Sequence, residues 1–98
     1  MKKIQRYVDM IEEELCGAKD YAEMYVSKKA KGSQWANRFH SMAEDELNHA
    51  EVIHQLAMEE IEELNKVFQA PVEIEEAWKK SHKEYVEKAA WVRQMLAM

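Results

Sequence analysis

Two glycines and one proline in 98 residues leave few places where a helix could break. Turn-rich, strand-rich folds are excluded on that ground, and the abundance of Glu, Lys, Ala and Met makes the expected fold class all-α. The single cysteine, Cys16, excludes an intrachain disulfide, so a reducing, cytoplasmic setting is expected. Long apolar runs are missing too. The opening MKKIQRYVDMIEEEL turns acidic within about a dozen residues and reads as neither a signal peptide nor a membrane span. Basic residues are scarce relative to acidic ones, with a net charge of −5, and the one tight basic run is Lys28, Lys29 and Lys31. That run reads as a solvated helix end, so nucleic acid is not an expected partner. The length suits one domain, 1–98, without repeats, low-complexity segments or linkers.

What the chain does have is helical periodicity. Ile4, Tyr7/Val8, Ile11, Leu15, Ala18, Tyr21/Ala22 and Tyr25/Val26 recur at spacings of three and four, predicting a first helix over 3–30. Gly32 and Ser33 then supply stop and start chemistry in one tight connection. A second stripe, Phe39, Met42/Ala43, Glu46, His49/Ala50, Ile53, Leu56/Ala57 and Ile61, predicts a helix over 34–69, long enough to bend or fray after Met58. Pro71 ends it and suits the first turn of a third helix over 72–96, whose stripe is Trp78, His82, Tyr85, Ala89, Val92 and Leu96. Two short turns joining three helices predict an antiparallel up-down-up chain.

The segment AEDELNHAEVIH holds two Glu-x-x-His pairs, Glu46/His49 and Glu51/His54, and residues three apart share a helix face. Heptad spacing puts Glu46 and His49 in the apolar seam with Phe39, Ile53 and Leu56. Glu51 and His54 fall on a half-polar flank with His40, Glu44, Leu47 and Met58, where a surface role is expected. A carboxylate on an apolar face is costly unless compensated, either by an internal hydrogen bond or by a metal. Helix 1 favours the metal, because Glu14 interrupts its stripe while Glu12 and Glu13 lean away. In a hairpin turning near residue 32, residues at one height have numbers adding to about 64, so Glu14 lies opposite residue 50 and Tyr21 opposite residue 43. Glu14, Glu46 and His49 should converge, and two carboxylates with an imidazole suit iron, manganese or zinc.

Glu14 followed seven residues later by Tyr21, together with Glu46, His49 and the small Ala50, resembles the ferritin-like di-iron carboxylate family, which includes ferritins, bacterioferritins and rubrerythrins. The match covers roughly residues 7–57. The resemblance implies that Glu46 bridges two irons, that Glu14 and His49 are terminal ligands, and that Tyr21 is a hydrogen-bond donor or a source of electrons. The family's second ligand set is missing, since Lys79 stands three residues before His82. A height estimate puts His82 beside residue 59, roughly 20 Å from the site, as a core histidine bonded to Glu59, Glu60 or Glu63. Val92 and Met95 are expected as walls.

Two copies of Glu14, Glu46 and His49 would restore four carboxylates and two histidines. The resemblance to short encapsulated ferritins therefore implies a homodimer, or a higher homo-oligomer, that completes a four-helix-bundle core around two irons, with zinc or manganese as substitutes. An encapsulin-type shell stays open as a partner, although AAWVRQMLAM carries no recognisable targeting peptide. The implied activity is ferroxidase-type oxidation of Fe(II) by oxygen or peroxide, for iron handling or oxidative-stress protection. The competing expectation is a non-catalytic helical scaffold; a third is a bundle with structural zinc. The seven methionines and three tryptophans are expected to pack cores and interfaces.

Overall fold

The computed structural model describes residues 2–67, 69 and 71–98. Among them there are three helices and no strand: α1 (Lys2–Ala30), α2 (Ala36–Val67) and α3 (Val72–Leu96). The all-α expectation holds. The first connection works as its composition suggests. Gly32 adopts φ +66°, and the amides of Gly32 and Ser33 donate to the carbonyls of Lys29 and Lys28, a Schellman ending that satisfies the last turn of α1. Ser33 Oγ then accepts from the Trp35 amide at 3.2 Å, so it caps the entrance to α2, although regular helix begins at Ala36. No break follows Met58. Gln69 is non-helical, and the expected end of this helix around Phe68 and Ala70 lies outside the described residues. Pro71 sits at the N-cap of α3, with Glu73 and Glu75 in the first turn opposing the positive end of the helix dipole.

Cross-helix pairs show that α1 and α2 run in opposite directions. Tyr7 donates to Glu60 Oε1 at 2.9 Å, while Tyr25 meets the ring of His40 edge-on at 4.9 Å. The molecule measures 55 × 18 × 16 Å. Its core is small-residue rich. Ala36, Ala43, Ala50 and Ala57 recur every seven positions of α2 and are all buried, the first three in one cluster with Ile11, Leu15, Ala18 and Ala22 of α1. Alanine at these positions lets two long helices approach closely over much of their length. Val92, Ala89 and Leu96 of α3 complete the cluster.

The buried face of α2 is rotated from the expected one. Ala43, Leu47, Ala50, His54 and Ala57 are buried, whereas Phe39, Glu46 and Ile53 are half-buried and Met42, His49 and Leu56 are exposed. The helix carries two adjacent apolar stripes, and α1 and α3 together cover just one of them. Leu47 and His54 therefore belong to the core and not to a wet flank. No helix among the described residues is long and apolar enough to cross a membrane.

The far end of α3 is tied down by polar contacts. His40 Nε2 lies 3.1 Å from the Leu96 carbonyl, and the Lys29 ammonium donates to the Met98 carbonyl. Donors at a helix C-terminus satisfy its orphan carbonyls, and the charge of Lys29 also opposes the helix dipole. Lys29 also lies 5.6 Å from the centroid of the Tyr25 ring, so this lysine is not simply a solvated helix end.

Candidate metal centre

Helix α1 contributes Glu14 and α2 contributes Glu46 and His49, one turn apart on the same face. One ligand atom from each lies within 4.8 Å of the other two, and no other such trio is found among the described residues. His49 Nδ1 lies 3.3 Å from Glu14 Oε2, where an Nδ1–H donates to the carboxylate, and 3.8 Å from Glu46 Oε1. The side chains of Glu14 and Glu46 are 27% and 25% exposed, and that of His49 is 58% exposed. The trio thus occupies the edge of the α1–α2 seam, not its interior. Two carboxylates stay dry enough to interact strongly while the imidazole faces outward.

Electrostatics here favour a cation. The Glu46 carboxyl is pushed up to about 7, chiefly because it donates its proton to Glu14, and further by burial and by the Glu14 charge; His49 acts weakly in the opposite direction. One proton shared by two carboxylates is the cheapest way to place them together without a metal. A divalent ion in place of that proton would let both ionise. Two carboxylate oxygens and one imidazole nitrogen suit a first-row divalent metal, and three protein ligands leave coordination positions open. The donor set fits such an ion.

Gly17 contributes what periodicity could not reveal. It lies one turn beyond Glu14, and a Cβ built there would stand 2.8 Å from Glu46 Oε2. Glu46 reaches across α1 through the space that the missing side chain leaves. The available signal was a glycine inside an otherwise uninterrupted helical pattern, which usually has a packing reason.

Tyr21 is half-buried, with its ring 6.4 Å from that of Phe39. It stands two turns, about 10 Å, along α1 from Glu14 and is not one of the clustered trio. Glu51 is exposed, as expected for the second Glu-x-x-His pair. His54 is not, being 7% exposed. His82 is exposed and bonds neither Glu59, Glu60 nor Glu63; its Nδ1 lies 2.9 Å from His54 Nε2. The level expected for His82 was wrong by more than one turn of α2; α3 packs mainly along α1 and touches α2 sparsely, so a height rule for helices paired along their length does not apply to it. Val92 is buried against the core and Met95 packs beside it, so both are walls of the bundle.

No family model, curated protein or solved structure matches this chain. The trio must therefore be read from its chemistry. Surface clefts of about 360 Å³ beside His40 and Arg93 and about 410 Å³ beside Lys3 and Val67 are lined by none of its members.

A pH dependence follows for the metal-free protein. The Glu46 proton leaves near 4.5 in the unfolded chain and near 7 in the folded one, so the folded state binds more protons between those values. This contribution to stability is complete below about 4.5 and is lost as pH rises through about 7. Glu46→Gln cannot titrate and keeps a donor for Glu14. In melts at constant ionic strength and with chelator present, the variant should gain on wild type between pH 5 and about 7 and level off by pH 8. A constant difference across that range would contradict the shared proton.

Proposed function

We propose that Glu14, Glu46 and His49 are half of a transition-metal centre, completed by a second copy of the chain in a ferritin-like, up-down-up arrangement with four central helices. The observation that carries this reading is the convergence of three metal-capable ligands from two helices at a half-exposed edge. The same edge is apolar above and below them. Met42 and Leu56, 38% and 42% exposed, flank the ligands along α2, and Met24, 40% exposed, lies along the same side of α1. A twofold axis through this stripe would bury it and bring two trios together.

In this reading Fe(II) is the substrate, and bound iron supplies one-electron chemistry to oxygen or peroxide. The residues bind and prepare. Glu46, Glu14 and His49 would hold the cation, Glu46 releasing its shared proton on binding and Glu14 and His49 serving as terminal ligands. Gly17 keeps the path of Glu46 clear. Tyr21, nearby on the same face of α1, would donate a hydrogen bond or an electron. Zinc, which has no redox chemistry, would occupy the same ligands without that activity, and manganese is a further substitute.

The test combines chemistry with mass. Aerobic addition of Fe(II) to metal-free protein should give a near-ultraviolet ferric band saturating at about two irons per dimer, and mass measurement in solution should show at least a dimer. A protein that stays monomeric when saturated with iron rules out the shared centre. Zinc binding without any ferric band would leave a structural metal site, and neither metal binding would favour the scaffold reading.

A further inference from the structure

His54 has no part in the metal centre, yet it is among the most enclosed polar side chains of the protein. Its ring stacks on Trp78, with centroids 4.9 Å apart and planes at 29°, and on Tyr85, at 4.5 Å and 15°. Trp78, His82 and Tyr85 recur at four and three residues and so share one face of α3. Between the two aromatic positions stands His82, whose Nδ1 meets His54 Nε2 at 2.9 Å. Three side chains of α3 thus close around one imidazole of α2.

Two imidazole nitrogens at that distance are joined by a single N–H···N bond, one nitrogen holding the proton and the other the lone pair. One extra proton is tolerated. A His82 imidazolium donates through Nδ1 to the lone pair of His54 Nε2, and the contact persists. A second extra proton puts hydrogens on both facing nitrogens and two positive charges in contact, one of them buried.

We propose that His54, His82, Trp78 and Tyr85 form a proton-operated clasp, which holds the first half of α3 against α2 and opens when His54 takes up its own proton. The clasp is independent of the metal reading. Its location makes opening local: α3 touches α2 sparsely, while its far end stays fixed by Val92, Leu96 and the contacts of His40 and Lys29.

The surrounding charges do not relieve the second proton. Helix α3 presents the His82 ring and the face of Tyr85 to His54, and Glu12 of α1 with Glu84 and Lys88 of α3 line the surface cleft on Tyr85. Burial, followed by the His82 charge, lowers the His54 proton affinity from its ordinary 6.5, and no carboxylate from α1, α2 or α3 raises it. The open state, with His54 in water, therefore binds the proton more tightly than the closed one. Closure is favoured above about 6.5 and weakens as pH falls below it.

Hydrogen exchange of the full chain, read by mass spectrometry at pH 7.5, 6.5 and 5.5 and corrected for intrinsic rates, tests the clasp. Amides of 74–85 should lose up to about tenfold in protection per pH unit below 6.5, reversibly, while those of α1 hold theirs. His54→Phe keeps the stack without a titrating group and should remove the pH dependence. His82→Gln keeps a partner for His54 without a second charge and should reduce it. Constant wild-type protection down to pH 5.5, or a fall shared equally by wild type and His54→Phe, overturns the proposal. Should His54→Phe fail to fold, a His82→Gln profile identical to wild type does the same.

Discussion

Glu46→Ala is expected to lower Fe(II) uptake and oxidation by at least about 100-fold, more than the loss typical of a residue that only supports a metal ligand. Glu46 shares a proton with Glu14 and lies 3.8 Å from the imidazole of His49. Its loss removes one of two carboxylates from each half of the centre and leaves the cation with a single charge to balance it. Folding should survive, since Glu46 is half-buried and its carboxyl is costly in the metal-free state. Glu51→Ala is the matched control. Glu51 belongs to the same repeated motif and is exposed on another side of α2, so uptake should stay within about twofold of wild type. Iron titration followed by near-ultraviolet absorbance measures both variants, and equal loss in the two would remove Glu46 from the centre.

Gly17→Ala should raise the melting temperature of the metal-free protein and weaken its metal site at the same time. Glycine inside a helix costs roughly 0.5–1 kcal/mol relative to alanine, which corresponds to a gain of about 2–8 °C for a domain of this size. The new Cβ would meet Glu46 Oε2 at 2.8 Å, the far end of a flexible side chain. Glu46 can swing aside at little cost to the fold, which also relieves its contact with Glu14. The ligand is then displaced from its partners, and metal affinity should fall by about tenfold or more. Opposite signs in the two measurements are the distinctive outcome. Unchanged metal affinity would mean that the space above Gly17 is not needed by the bound state, and a lower melting temperature would mean that the backbone itself requires glycine.

Much of this molecule could be read locally. The bounds of α1 and α3 follow from spacing and from Gly32, Ser33 and Pro71, whose effects reach only a few residues along the chain. The meeting of Glu14 with Glu46 and His49 needed one further step, a hairpin with a tight turn, and rise per residue then set the height. The same rule failed for His82, since α3 packs mainly along α1 and only sparsely along α2. Gly17 was visible as a letter but not as a site, because its role is to leave room for a side chain from another helix.

The sequence by itself determined three helices, their order and the level at which one carboxylate of α1 meets a Glu-x-x-His pair of α2, since these depend on periodicity, turn chemistry and a fixed rise. Only the tertiary structure decided which stripe of α2 faces inward. Two stripes of similar hydrophobicity lie side by side there, and the closest approach is allowed by the one built on Ala36, Ala43, Ala50 and Ala57. That choice buries His54 against α3 and leaves Glu46 and His49 at an open apolar edge.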